Sequence, residues 1–126
     1  MVILDTNIII DHLRQKQESL FENLVNKINK NELAISVITI QELFAGKSTR
    51  NLIEENYLLS TISNLEILPY NYDVSRLAGK IIRDTSRYVG FADAAIAATA
   101  VVNDAELFTL NKKDFQDIKG IHFFIL

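Results

Sequence analysis

Short apolar runs alternate with longer segments of helical periodicity along the whole chain. Strands that alternate with helices predict a three-layer α/β/α sandwich with a mostly parallel central sheet of about five strands. The predicted strands are 2–4, 33–36, 65–68, 106–110 and 121–125. The predicted helices are 7–14, 19–30, 39–46, 50–64, 73–87 and 93–103.

The size and composition fit one folded domain over 1–126. The chain is 48% hydrophobic and 23% charged, which is typical of a globular protein rather than a disordered one. The absence of Cys excludes disulfides and thiolate metal sites and is compatible with a cytoplasmic protein. There is no signal-peptide pattern, and no apolar run approaches the ~18 residues of a membrane span, so we expect no membrane association.

Charge excludes one class of function. The formal net charge of −3 argues against a general nucleic-acid coat protein. It does not exclude a nuclease, because the carboxylates of a metal site carry negative charge that a bound cation offsets.

Four acids lie at the edges of apolar elements. Asp5 closes the first predicted strand, Glu42 lies in the helix after the second, Asp93 opens a nearly all-apolar helix, and Asp114 follows the fourth strand. In a parallel sheet these positions share one rim, where ligands bind. An oxygen-only set of ligands suits Mg²⁺ or Mn²⁺ and disfavours zinc.

Each acid also has a purely structural interpretation. Thr39 and Glu42 match the T-x-x-E capping box. Asp5 and Asp93 could each cap a helix, and Asp114 could belong to a turn. Asp93 is nevertheless the only charge between Arg87 and Asp104, and an unpaired buried acid is costly, which favours a functional role.

Four segments together resemble the PIN-domain family, and within it the VapC-type toxins of VapBC toxin–antitoxin pairs. The segments are LDTN (4–7), SVITIQELFAG (36–46), FADAAIAATA (91–100) and FTLNKKDF (108–115). They occur in the family's order and cover almost the whole chain. The resemblance implies a Mg²⁺- or Mn²⁺-dependent endoribonuclease, usually a homodimer, held inactive by a cognate VapB-type antitoxin.

The resemblance also implies roles for individual residues. The core acids of the family match Asp5, Glu42 and Asp93. The fourth position falls on Asn111 or Asp114, and we interpret Asp114 as the acid and Asn111 as supporting. Asn7 and Thr109 match residues that position the carboxylates through hydrogen bonds.

The expected chemistry is phosphodiester hydrolysis, with Asp5 and Asp93 holding the metal. Glu42 would be a ligand or would accept the proton of the attacking water, and Asp114 would bind a second ion or a water molecule; one or two ions remain open. The predicted phosphate contacts are Lys112 and Lys113, together with Arg83 and Arg87 from a basic stripe that also contains Arg76 and Lys80. That stripe could equally be a solvated helix face. His12 and His122 have no catalytic partner in the sequence.

Other functions fit the sequence less well. A phosphatase of the haloacid-dehalogenase type needs an Asp where this chain has Asn7. A receiver-type signalling domain needs an acceptor Asp that LEILPY (65–70) does not offer. A catalytically inert PIN-like domain that binds RNA or protein is the main alternative. For an antitoxin helix, the predicted helices 19–30 and 50–64 offer Phe21, Leu52, Tyr57 and Leu59, which could equally fill the core.

Overall fold

A parallel four-stranded sheet forms the centre of the molecule in this computed structural model. The model describes residues 1–126, with the side chain of Ser48 outside the description. The strands are β1 (Val2–Leu4), β2 (Leu33–Ser36), β3 (Glu66–Leu68) and β4 (Glu106–Phe108). Their order is β3-β2-β1-β4, so β1 lies between β2 and β4, and every pair is parallel.

The helices are α1 (Thr6–Gln15), α2 (Leu20–Val25), α3 (Val37–Ala45), α4 (Leu52–Ile62), α5 (Tyr72–Asp84) and α6 (Phe91–Val102). Five of them begin after a residue whose side chain accepts a hydrogen bond from a backbone N–H of the first turn: Asp5, Ser19, Ser36, Asn51 and Asn71. These caps satisfy N–H groups that have no partner inside the helix. Across the described residues, no helix has the length and apolar character needed to cross a bilayer.

Two separate cores, one on each face of the sheet, create the three layers. Successive residues of a strand point to opposite faces. In β1, Val2 and Leu4 join the core that contains α1–α4, whereas Ile3 joins the core built around α5 and α6. In β2, Leu33 and Ile35 face the first core and Ala34 the second. Because both faces are covered at the centre of the sheet, β1 and residues 33–35 of β2 are apolar throughout rather than alternating.

The fifth predicted strand is not a strand in the structure. The segment 121–125 meets β4 at a single parallel bridge, Leu107 to Phe123. Leu107 also accepts a hydrogen bond from the N–H of Phe124 and donates one to the carbonyl of His122. β4 is only three residues long, so it offers the C-terminal segment too little edge for a ladder.

Two predicted helices end earlier than their apolar periodicity suggests. α2 ends at Val25 rather than residue 30, although Ile28 still packs against the core. α5 ends at Asp84 rather than residue 87, so Arg87 lies outside the helix that carries Arg76, Lys80 and Arg83. Asn, Ser and Thr hydrogen-bond locally and favour turns over helix, and NKIN at 26–29 and TS at 85–86 contain these residues.

The structural alternative for Glu42, a capping box with Thr39, does not hold. α3 begins at Val37 with Ser36 as its N-cap, so Thr39 and Glu42 both lie inside the helix. They are three residues apart and share one face of α3. Their side chains are therefore available for contacts with another element.

Candidate active site

The site lies at the point where the order of strand addition in the sheet reverses. The chain builds β1, β2 and β3 outward on one side and then returns to place β4 on the other side of β1. In open parallel sheets, ligands bind beyond the carboxyl ends of strands at such a switch point. Asp5 follows β1 directly and Thr109 follows β4 directly. The N–H of Asp5 donates to the carbonyl of Phe108 at 2.9 Å, which holds the two strand ends together.

Asp5 is a buried carboxylate with both oxygens hydrogen-bonded. Its Oδ1 accepts from the backbone N–H of Thr6 at 2.8 Å, and its Oδ2 accepts from the hydroxyl of Thr109 at 2.7 Å. Only 6% of the residue is exposed. Burial raises the pKa of Asp5 from 3.8 to about 6, helped by the charges of Asp93 and Glu42 and opposed by the two hydrogen bonds.

Thr109 connects Asp5 to the loop after β4. Besides donating to Asp5, its Oγ1 accepts from the N–H of Asn111 at 3.0 Å and from Nδ2 of Asn7 at 3.4 Å. The side-chain oxygen of Asn7 accepts from the N–H of Leu110 at 3.3 Å. Asn7 therefore positions Thr109 and its loop. Of these two residues, Thr109 is the one that contacts the carboxylate of Asp5. Asn111 takes part through its backbone.

Two threonines that the sequence analysis did not assign to the site hold Glu42. The hydroxyl of Thr6 donates to Oε1 of Glu42 at 2.6 Å and lies 2.9 Å from the hydroxyl of Thr39. Because the single proton of Thr6 goes to Glu42, Thr39 donates to Thr6. Both threonines are buried, so their contact is shielded from water, whereas Glu42 itself is exposed. The positions of Thr6 beside Asp5 and of Thr39 on the face of Glu42 were the available signals.

Asp93 and Asp114 approach from the other side of the site. Asp93 is the third residue of α6, whose N-cap is Gly90, so it does not cap that helix. Burial raises the pKa of Asp93, as do the charges of Asp114 and Glu42, while Arg87 opposes the rise. Asp114 ends a short 3₁₀ turn, Lys112–Asp114, and its carbonyl accepts a hydrogen bond from Arg87. Asp93 is thus within reach of the charges of both Glu42 and Asp114.

The donor chemistry of these side chains fits a hard divalent cation. All four candidate groups are carboxylates, and their mutual repulsion is a cost that a cation would relieve. Among the described residues, no three Asp, Glu or His side chains are already gathered at ligand spacing. A cation would therefore have to draw the carboxylates together, and the half-buried Asp93 has more room to move than the doubly bonded Asp5.

The predicted phosphate contacts differ in their surroundings. Lys112 and Lys113 lie exposed in the same 3₁₀ turn as Asp114. Arg83 pairs with Asp84 at 2.7 Å, and Arg87 binds both carboxylate oxygens of Asp117. The two arginines are therefore already occupied by acids of this chain.

His12 is a structural residue of the α1–α4 layer. Its Nδ1 lies 2.6 Å from the hydroxyl of Ser19 and its Nε2 lies 2.9 Å from that of Tyr57. Its ring also packs on those of Phe21 and Tyr57. Burial lowers the pKa of His12, which favours the neutral ring.

The fold is a parallel α/β/α sandwich with acids at its switch point. Comparison with known sequences identifies the class of protein to which it belongs. The PIN domain model matches residues 2–121, and the chain belongs to the PIN-domain family. This membership does not support the phosphatase and receiver interpretations.

Similar proteins within that family include ribonucleases named VapC. Ribonuclease VapC19 of Mycobacterium tuberculosis is 32% identical over 120 residues, covering 91% of this chain and 92% of the relative. Ribonuclease VapC2 of Rickettsia felis is 30% identical over 124 residues, covering 94% and 92%. Among solved structures, VapBC2 from Rickettsia felis bound to a DNA fragment from its promoter matches with a TM-score of 0.85 and 28% identity, covering 98% of both chains.

Proposed function

We propose that this protein is a Mg²⁺- or Mn²⁺-dependent endoribonuclease, the toxin of a type II toxin–antitoxin pair, which a VapB-type antitoxin holds inactive. The names of its relatives, Ribonuclease VapC19 and VapC2, support the activity. The observation that carries the proposal is the buried Asp5 at the switch point, with a raised pKa and with Glu42 and Asp93 close enough to affect it.

The residues would divide the work according to their surroundings. Asp5 and Asp93 would hold the cation. Glu42 has one oxygen bound by Thr6, and its other oxygen is available to the cation or to the proton of the attacking water. Asp114 supplies the fourth carboxylate. A bound Mg²⁺ neutralises charge on the phosphate and lowers the pKa of water.

Cleavage of a structured RNA by the purified chain tests this proposal. Asp5→Asn and Asp93→Asn remove one negative charge each with little change of shape, and Asn keeps the N-cap of α1. Asp104→Asn is the matched control because Asp104 is exposed just beyond the opposite end of α6 and its φ of 51° suits Asn.

We expect cleavage that requires Mg²⁺ or Mn²⁺ and stops with chelator. Loss of several kcal/mol of charge stabilisation predicts a decrease of about 10³-fold in both site variants and none in the control. Folded protein that cleaves no RNA would support the inert alternative. Equal activity in all four proteins would contradict the assigned site.

The antitoxin component of the proposal has its own surface. Two of the similar solved structures, from Salmonella typhimurium and Rickettsia felis, are VapBC complexes, and α4 exposes Leu52, Ile53 and Leu59. Of the other predicted contacts, Phe21 is buried and Tyr57 is half-buried against His12, so they belong to the core. An amphipathic antitoxin helix could cover the exposed apolar residues of α4.

Co-purification with a VapB-type antitoxin tests this surface. Leu52→Glu together with Ile53→Glu should weaken the complex while leaving ribonuclease activity intact. Ile82→Glu, at an exposed apolar position on α5, is the control. Unchanged binding of the double variant would remove α4 from the interface. The homodimer stays a prediction, which sedimentation of the isolated chain checks.

A further inference from the structure

A cleft opens next to Glu42. It has a volume of about 310 Å³ and is lined by Ile10, Arg14, Glu42, Leu43, Gly46 and Lys47. Arg14 comes from the last turn of α1, and Lys47 from the 3₁₀ turn after α3. The cleft therefore lies between the two helices that Thr6 and Glu42 connect at the site.

The carboxylate of Glu42 shares this cleft with its two cations but is paired with neither of them. Among the described residues, no carboxylate lies within 4.0 Å of Arg14 or Lys47, whereas Lys16, Arg83 and Arg87 each have an acidic partner. Both side chains are exposed, and the apolar Ile10 and Leu43 lie between them and the core. A polyanion can contact such cations without first displacing an internal partner.

The distance to the acids suits a strand of nucleic acid. Arg14 is nine positions after Asp5, with α1 between them, which places their backbones about 13 Å apart along the helix. That span corresponds to about four phosphates of a stacked strand. That separation exceeds the physiological Debye length of about 8 Å, so salt largely screens a phosphate at Arg14 from the charge of Asp5.

We propose that the cleft of Arg14 and Lys47 binds the phosphodiester backbone of the RNA a few nucleotides from the bond that is cut. This rests on the proposed ribonuclease function and adds a substrate-positioning surface to it. Arg14 contributes a planar donor fork that can contact a phosphate through two N–H groups, and Lys47 contributes a point charge. Both are positioning residues, since neither needs to reach the reacting atoms.

Binding of a fluorescent single-stranded RNA in chelator, where no cleavage occurs, separates this proposal from catalysis. The variant is Arg14→Gln with Lys47→Gln. The matched control is Lys27→Gln with Lys119→Gln, which removes the same charge from positions outside both the cleft and the basic stripe. All four positions are exposed, and melting curves verify the fold of each variant.

Loss of two phosphate contacts predicts a change in salt dependence as well as in affinity. The slope of log K against log salt should fall by about 1.4, and the affinity by roughly 10- to 30-fold at 0.1 M salt. In cleavage assays with metal, KM should rise while kcat changes little, because the contact is remote from the reacting bond. A structural role at the helix ends would lower the melting temperature without this change of slope.

The remaining outcomes overturn the proposal in distinguishable ways. If wild type cleaves RNA and the double variant binds it with unchanged affinity and slope, the cleft does not bind substrate, and the ribonuclease function stands. If the double variant loses only antitoxin binding, the cleft serves an acidic segment of the protein partner instead. If wild type neither binds nor cleaves RNA, the proposed function fails together with the cleft.

Discussion

The acids on the two sides of the site are held in opposite ways. Asp5 and Glu42 are bound by the hydroxyls of Thr109 and Thr6, which are neutral donors. The carboxylate of Asp93 accepts no hydrogen bond from any described residue, and the charge of Arg87 offsets part of the repulsion there. We call the first pair the threonine-bound acids, and we call Asp93 and Asp114 the arginine-side acids.

This difference extends to the surrounding cations. The threonine-bound acids accept hydrogen bonds from hydroxyl groups. The nearby Arg14 and Lys47 have no ion-pair partner among the described residues. Near the arginine-side acids, Arg87 is bound to Asp117 and to the carbonyl of Asp114. Neutral hydrogen bonds can thus fix a carboxylate without using a cation, which leaves the cation available to a ligand.

The largest expected effect concerns the stability of the metal-free protein. The folded pKa of Asp5 is about 6, above its ordinary value of 3.8, so the folded state binds a proton more tightly than the unfolded state. The stability that this tighter proton binding adds to the folded state is fully present below about pH 4 and is lost as pH rises through 6. Asp5→Asn removes this loss and should stabilise the chelated protein at pH 7 by up to about 3 kcal/mol.

Urea unfolding in chelator at pH 4 and pH 7 measures this effect. Wild type and Asp5→Asn should be similar in stability at pH 4 and differ at pH 7. Asp104→Asn should follow wild type at both values. Parallel pH profiles for Asp5→Asn and wild type would show that Asp5 is not strained by burial.

The next effect tests whether a hydroxyl holds the threonine-bound acids. Thr109→Val keeps the shape but removes the donor to Asp5 and the acceptor for the N–H of Asn111. Loss of a residue that orients a metal ligand predicts a 10- to 100-fold decrease in activity. The pKa of Asp5 should rise further. Metal titrations and pH–rate profiles measure both changes.

Thr99→Val is the matched control for that prediction. Thr99 is equally buried, but its hydroxyl donates to the carbonyl of Ala95 inside α6. It contacts no carboxylate, so its loss should change stability more than activity. Equal activity losses in the two variants would mean that Thr109 acts through packing alone.

A smaller effect is expected on the arginine side. Arg87→Gln removes the positive charge that lowers the pKa of Asp93, so this pKa should rise and the acidic limb of the pH–rate profile should move to higher pH. Because Arg87 is partly solvated, we expect no more than about a threefold loss of kcat/KM at neutral pH. An unmoved profile would separate Arg87 from the site.

The smallest effect should come from Arg83→Gln. Arg83 pairs with its sequence neighbour Asp84 in solvent, and exposed pairs contribute little. RNA affinity and salt slope should stay within about twofold of wild type, since one phosphate contact would be worth more than that. A loss as large as that of the Arg14 and Lys47 variant would restore the predicted basic stripe as an RNA-binding surface.

Much of the fold was predictable because its signals are local. Four of the five predicted strands and all six predicted helices are present, and Ser and Asn caps begin several of the helices. The prediction of a fifth strand was wrong. Strand pairing depends on the edge that β4 offers, and that edge exists only in the tertiary structure. The predicted ends of α2 and α5 were wrong. These helices end at Val25 and Asp84, because the residues that follow favour turns although the apolar spacing continues.

By itself, the sequence determined the order of the elements, the family and the four acids at their ends, because periodicity and motifs lie within short stretches of chain. The resemblance also pointed to Thr109, but only the tertiary structure decided that Thr109 binds Asp5, that Thr6 binds Glu42 and which cations stay unpaired. The Thr109–Asp5 bond spans 104 positions, and the Arg87–Asp117 pair spans 30. Hydrogen bonds and ion pairs depend on distances of a few ångströms in space, and only the folded sheet creates them.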